Sequence, residues 1–444
     1  MADKPRKELN LFDSTCLIVG IIIGAGIYQA APDIAKGALT WYGVFAIWAI
    51  GGLLSLFGAL GYAELATAYP REGGDYVYLS RAYGRWAGFL FGWVQLVIVR
   101  PGDIAAMAFA FATYARAIHD PFAASGSRWT LPLYAAAATA ALTAVNIIGV
   151  RQGKWTQNIL TTVKALGLLA IVAIAMLAPR GAPAAASVDS FPMSVALILV
   201  LFAFGGWNEM AYVAAEVKNP KRNIVRALVV GTVAVTVLYL LVNAAFLYTL
   251  GYAGTANSKA VASDAIAAVF PEIGGRLIAA LICISALGAI NGLIFTGARI
   301  SYAVGADYRQ FRILGKWHPR TQTPVFALLL QGLIAVGLIL LLGTFLDTIL
   351  YTAAAVYTFY LATNLAVIVL RFKEPQIERP YRVTGYPVTT IIFCAACAFF
   401  IYSGLNYAYA VKPKGLLVSS CSFLVGIIVY VLVAGKNRAT AEGE

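Results

Sequence analysis

Gly24-Ala25-Gly26 sits inside an apolar run from Leu17 to Ala31, and Phe204-Gly205-Gly206-Trp207 interrupts a later apolar run in the same way. Glycine weakens a helix because it frees φ and removes side-chain packing. In hydrocarbon, a freed backbone N–H or C=O persists only where it lines a cavity or finds a partner. Two such breaks, each in the first span of one half of the chain, point to a binding site at the bilayer midplane. The competing reading is close helix packing of the small-xxx-small kind. It accounts for either glycine group alone, but not for their equivalent places.

A few charged side chains fall within apolar runs. Lys164 lies in Thr161-Thr162-Val163-Lys164-Ala165-Leu166. An ammonium inside a membrane costs about 2.5–3.5 kcal/mol on insertion scales, so Lys164 is expected to be paired or functional unless it snorkels to the headgroups. Arg100 and Asp103 are spaced i,i+3 and can pair with each other. Glu209 follows Asn208 just past the second break. Asp103 and Glu209 either face a cavity, where they favour a cationic substrate or carry a proton, or serve as structural partners for Lys164 or Arg100.

The elements that hold these residues follow from composition. The chain has 444 residues, 61% hydrophobic and 12% charged, with a mean hydropathy of +0.79. Soluble domains carry about 25% charged residues, so this is a polytopic membrane protein. Its first ten residues are polar and lack a cleavable signal pattern, so the first span is expected to remain. About twenty apolar residues make a span. Spans are expected near 11–35, 41–68, 84–117, 131–149, 155–178, 190–217, 223–251, 275–303, 323–342, 345–371, 386–409 and 415–435. The net charge of +13 does not indicate nucleic-acid binding, because the basic residues punctuate apolar spans instead of forming an aromatic-interleaved stripe. The N-terminus and the junctions after even-numbered spans carry 23 Lys and Arg, and those after odd-numbered spans carry 8. By the positive-inside rule both termini are cytoplasmic, in a multi-pass protein of the cell membrane. Cys16, Cys283, Cys394, Cys397 and Cys421 lie in or beside apolar runs. Cys394 and Cys397 have metal-ligand spacing but no partner pair, so no metal, cofactor or disulfide framework is expected.

Several short motifs carry a family resemblance. Gly24-Ala25-Gly26-Ile27-Tyr28, Tyr62-Ala63-Glu64-Leu65, Gly73-Gly74-Asp75-Tyr76, Phe202-Ala203-Phe204-Gly205-Gly206-Trp207-Asn208 and Glu216-Val217-Lys218-Asn219-Pro220 resemble the amino acid–polyamine–organocation transporters. Val99-Arg100-Pro101, Thr323-Pro324-Val325 and Lys373-Glu374-Pro375-Gln376-Ile377-Glu378-Arg379-Pro380 resemble the L-type amino acid transporter branch. The resemblance runs from about Leu11 to Tyr430.

It implies an all-α membrane fold of the LeuT type with about twelve helices, in which helices 1 and 6 are broken. The expected parts are a tail at 1–10, five-helix inverted repeats at 11–178 and 190–371, two trailing helices at 386–435 and a tail at 436–444. A zwitterionic amino acid suits such a site. The half-helix starting near Ala25–Ile27 offers free N–H groups to a carboxylate. Carbonyls around Ile22, Ile23, Phe202 and Ala203 can accept from an ammonium. Gly24, Gly26, Phe204 and Gly205 complete the expected binding segments. The resemblance makes Phe202 an aromatic gate, against the plain alternative of a core aromatic, and makes Asn208 a contact to substrate or to the unwound segment. It also matches Lys164 to a lysine that takes the place of sodium in sodium-coupled relatives and braces span 1 against span 8. Asp103 and Glu209 depart from the pattern.

The function implied is a sodium-independent exchanger of small or neutral L-amino acids working by alternating access. A proton-coupled or cationic amino acid carrier and a non-transporting amino acid sensor are the alternatives. A membrane enzyme lacks support, since His119 and His318 lie in loops and no G-x-S-x-G motif occurs. A channel suits two discrete helix breaks less well than a closed site does. Animal relatives that need a heavy chain attach it by disulfide from the loop after span 3. His119–Leu131 contains no cysteine, so no disulfide-linked heavy chain is expected.

Overall fold

The computed structural model describes residues 6–120, 129–178, 187–189, 191–267, 269–341, 345–411 and 420–433. The expected tail at 436–444 and most of the loop after span 3 lie outside these residues. Apolar helices stand at each of the twelve expected places. In chain order they are α1 (Leu11–Ile22), α2 (Gly26–Gln29) and α3 (Ala31–Ala38), which share the first span, then α4 (Trp41–Ala68), a short α5 (Asp75–Tyr83), and α6 (Arg85–Val94), which continues into α7 (Arg100–Ile118). There follow α8 (Thr130–Ile148), α9 (Val150–Leu177), α10 (Met193–Ala203), α11 (Pro220–Asn257), α12 (Val261–Ala267), α13 (Gly274–Asp307), α14 (Val325–Leu341), α15 (Phe345–Lys373), α16 (Val388–Val411) and α17 (Ser420–Val433). Among the described residues, nine spans are long and apolar enough to cross a membrane, and α10, α14 and α17 are shorter apolar helices.

Several boundaries differ from expectation, two of them for a local reason. Helix α9 begins at Val150 instead of 155, because Gly149 alone makes the turn from α8. Helix α11 runs on to Asn257 through a kink at Gly251, whose φ of 68° is open to glycine at little cost.

Burial sorts the helices into an inner and an outer set. The most apolar window of the first span is 78% buried and that of α13 is 72% buried, against 28% for α9 and for α16. Helix α13 packs along α7 and α9, and α11 packs along α4 and α1. The broken first span is therefore wrapped by other helices, as its freed backbone requires.

Ion pairs close the end of the bundle that carries the N-terminus. Asn10 and Asp13 form a reciprocal capping box at the start of α1. The N–H groups of Glu8 and Leu9 donate to the Glu216 carbonyl at 2.9 Å, and Lys218 N–H donates to the Leu9 carbonyl at 2.8 Å. Glu216 in turn receives Arg299 of α13 through both oxygens, at 2.7 and 3.2 Å, with both side chains buried. Glu64 accepts from Arg371 at 2.9 and 2.6 Å and from the N–H of Val383 at 2.8 Å, and Arg379 lies 3.4 Å away. These contacts latch the loop after α15 onto α4.

Glu72, in the turn between α4 and α5, has one carboxylate oxygen sealed from solvent without a hydrogen-bond partner among the described residues. Burial raises its pKa from 4.5 to about 7, with the Glu216 carboxylate adding and the Arg299 and Arg71 charges opposing. Between those two values the folded chain holds a proton that the unfolded chain has lost, so this group's contribution to stability falls as pH rises. Glu72→Gln is expected to leave the thermal midpoint of the detergent-solubilised protein nearly unchanged at pH 4–5 and to raise it at pH 8. An equal shift at both pH values would contradict the assignment.

Candidate functional site

The first break is a close crossing. Helix α1 ends at Ile22, Ile23 leaves helical geometry with ψ of 81°, and α2 begins at Gly26. The glycines here do not use positive φ. A Cβ on Gly26 would lie 3.1 Å from the Cα of Ala203, and one on Gly24 would lie 3.1 Å from the Met107 sulfur. Side-chain-free backbone thus lets the first break touch α7 on one side and α10 on the other. The second break does use glycine's freedom. Gly206 has φ of 107°, and a Cβ there would meet Ile21 Cγ2 at 2.5 Å.

Three side chains satisfy the carbonyls that the first break frees. The Lys164 ammonium donates to the carbonyls of Gly20 at 2.6 Å, Ile23 at 2.7 Å and Ser285 at 3.0 Å, joining α9, α1 and α13. It is fully buried and turns inward, away from any headgroup. The Ser285 hydroxyl lies 3.0 Å from the Ile23 oxygen and 3.1 Å from that of Gly24. The Tyr239 hydroxyl spans both breaks, 2.9 Å from the Ile22 oxygen and 3.1 Å from that of Ala203. Gly24 N–H adds a second donor to the Ile22 carbonyl at 2.8 Å, and Gly205 N–H donates to that of Phe202 at 2.9 Å. The carbonyls expected to be open to a ligand ammonium therefore already face protein donors, and Ile22 and Ile23 face two each. The N–H groups of Ala25, Gly26 and Ile27, by contrast, have no backbone acceptor among the described residues.

A cavity of about 110 Å³ lies between the breaks and α7, α13 and α15. Ile22, Gly24, Gly26, Phe202, Ala203, Gly205, Asn208, Glu209 and Asp103 of the expected set line it. Ile23, Ala25, Ile27 and Phe204 are not in its wall. Phe204 instead packs against Trp48 and Tyr239, with ring centroids 6.0 and 5.2 Å away. Lys164 lies behind the first break, outside the lining.

Of the two acids open to Arg100 as partners, Asp103 and Glu209, the structure pairs it with Glu209. Arg100 Nη1 reaches Glu209 Oε1 at 2.8 Å, with both side chains about 5% exposed or less. Its Nε donates to Gln95 Oε1 at 3.1 Å, and the guanidinium lies 4.9 Å from the Tyr212 ring centroid. Glu209's other oxygen accepts from Thr296 Oγ1 at 2.6 Å. Spans 3, 6 and 8 thus meet at one ion pair. Gln95–Val99 form a π-turn between α6 and α7, with Arg100 N–H bonded to the Gln95 carbonyl five residues back. Pro101 has no N–H for the carbonyl four residues before it, and widening the helix accommodates that loss. The wider turn sets Gln95 beside Arg100, whose guanidinium reaches the segment that continues α10. Asp103 still lines the cavity, but has no hydrogen bond or ion pair within 4 Å among the described residues.

Asn208 orders the second break by donating to Tyr212 Oη at 2.8 Å and accepting from Tyr360 Oη at 3.1 Å. Gln95, Tyr212, Tyr239, Ser285, Thr296 and Tyr360 were not singled out by sequence reasoning. Only Gln95 had a local signal, the proline six residues on in the same span.

The chain is similar to known proteins along most of its length. The sequence profile of the amino acid permease family matches residues 9–433. The chain is 30% identical over 439 residues to the b(0,+)-type amino acid transporter 1 of Mus musculus, covering 91% of this chain and 88% of that protein. It is 31% identical over 413 residues to the serine/threonine exchanger SteT of Bacillus subtilis (strain 168), covering 90% and 91%. It is 30% identical over 446 residues to the large neutral amino acids transporter small subunit 2 of Homo sapiens, covering 96% and 80%.

The contact of Gly206 with Ile21 makes one substitution diagnostic. Gly206→Ala adds a methyl group at a positive φ and into Ile21, so it should lower the thermal midpoint of the solubilised protein by the equivalent of about 1–3 kcal/mol. Gly275→Ala, where a Cβ has open space, serves as the control and should leave the midpoint within error. Equal behaviour of the two would remove the close crossing as the reason for the glycine.

Proposed function

The chain belongs to the amino acid permease family, and from that premise we propose that it is a sodium-independent exchanger of small or neutral L-amino acids. The substrate carboxylate meets the free N–H groups of Ala25, Gly26 and Ile27, where the α2 end also offers a partial positive charge. The substrate ammonium takes a remaining lone pair of Ala203 or replaces the Ser285 or Tyr239 hydroxyl as donor to one of the two carbonyls that each serves. Phe202 covers the bound molecule. The repeats at 11–178 and 190–371 move against each other to expose the site to each side in turn. The protein works in the cell membrane with both termini in the cytoplasm, and without a disulfide-linked heavy chain. All five cysteines are free.

One observation carries the sodium-independent reading. The carbonyls of Gly20, Ile23 and Ser285 converge on the Lys164 ammonium at 2.6–3.0 Å. A positive charge already occupies the place where oxygen ligands would gather round a cation. The chain therefore needs no imported ion to hold spans 1 and 8 together.

The test is uptake of radiolabelled alanine, serine and leucine into proteoliposomes. Uptake should require amino acid inside the vesicles and stay unchanged when choline replaces sodium. Lys164→Ala should lower exchange by at least about tenfold, since it leaves buried carbonyls without a donor. Uptake into empty vesicles driven by a proton gradient would replace exchange with proton coupling, and absence of any flux would leave a sensor.

A further inference from the structure

We propose that Asp103 is the residue through which this cavity selects the far end of a substrate side chain, and that it admits a positively charged end, an ammonium or guanidinium. The inference rests on the amino acid exchanger proposed above and on its substrate lying at the helix breaks, and it widens the substrate range from small or neutral amino acids to cationic ones.

The charges in the cavity wall do not balance. Arg100 and Glu209 neutralise each other at 2.8 Å. Gln95 accepts from Arg100 Nε, Thr296 donates to the other Glu209 oxygen, and the guanidinium lies by the Tyr212 ring. Asp103 stands one helical turn from Arg100 in the same wall, with no cation and no hydrogen-bond donor of the described residues in contact. The wall is otherwise largely apolar and aromatic, including Phe91, Val99, Leu293, Tyr357 and Phe359. A carboxylate facing such a space lacks a counter-charge that the protein does not supply.

Its position suits the end of a side chain better than the amino acid core. Met107, one turn beyond Asp103 on α7, is the residue that packs directly on Gly24. Asp103 is thus set about 6 Å along the helix axis from the first break. An amino acid core held at Gly24–Gly26 and Ala203 leaves its α-ammonium near that break, and only its side chain extends along α7 toward Asp103. Small neutral side chains stop short and leave the carboxylate hydrated. A lysine- or arginine-like side chain brings its charge to the carboxylate, while the Arg100–Glu209 pair stays intact.

Binding to the solubilised full-length protein, read by thermal stabilisation and competition with alanine, separates charge from shape by paired ligands. Lysine is compared with norleucine and arginine with citrulline, each pair similar in size. The native protein should bind the charged member about tenfold or more tightly. Asp103→Asn should remove that preference while changing norleucine, citrulline and alanine by less than about twofold. Asp103→Glu should keep the preference, which a merely structural role for the aspartate would not predict. Equal affinity for the two members of each pair in the native protein overturns the inference. So does an Asn variant that weakens charged and neutral ligands alike, which would make Asp103 a receptor for the α-ammonium or a packing residue. Native protein that binds none of these amino acids removes the function proposed above, and this inference with it. Binding without the charge preference removes only the inference.

Discussion

A helix interrupted inside a bilayer leaves carbonyls that hydrocarbon cannot solvate, and the rest of this protein is arranged round the group that answers that need. The Lys164 ammonium takes three carbonyl oxygens from α1 and α13 at once. An ammonium has three protons to give, so its hydrogen bonding is complete and its charge is spread over three dipoles. Ser285 and Tyr239 satisfy the neighbouring oxygens on the cavity side. The break keeps its shape with no ligand bound, and the glycines can then serve close approach: Gly24 to Met107, Gly26 to Ala203, Gly206 and Gly292 to Ile21.

The buried ion pairs are graded along the bundle. Arg100–Glu209 lies in the cavity wall, Arg299–Glu216 is fully enclosed beyond it, and Glu64 with Arg371 and Arg379 closes the N-terminal end. Desolvation offsets most of the attraction within such pairs, so their effect is more on which helices meet than on total stability. Each joins elements distant in sequence: spans 3 and 6, spans 6 and 8, span 2 and the loop after span 10. A molecule that must rearrange round a central site is well served by joints of this kind, because they specify partners strongly and hold them with modest net energy.

Much of this was legible in the chain. The two glycine groups marked both breaks, and the cost of an ammonium in hydrocarbon marked Lys164 as a partnered residue before its partners were known. The span count followed from apolar run length and from the alternation of basic junctions. Other features were hidden by their nature. Phe204 reads as part of the second break, yet its ring packs on Trp48 and Tyr239, because which face of an apolar helix turns inward is undecided where every face is apolar. Ser285, Tyr239 and Tyr360 look like ordinary members of membrane helices until their hydroxyls are placed against a carbonyl or an amide from another span.

The sequence by itself determined that this chain spans the membrane about twelve times, that it breaks two spans at glycine, and that its intramembrane charges must be satisfied. Those properties depend on hydrophobicity, backbone freedom and desolvation, which act over a few residues. Only the tertiary structure decided who satisfies whom. Arg100 pairs with Glu209, more than a hundred residues away, and not with the nearby Asp103. Which side chain completes an ion pair depends on packing among spans that the linear order keeps apart.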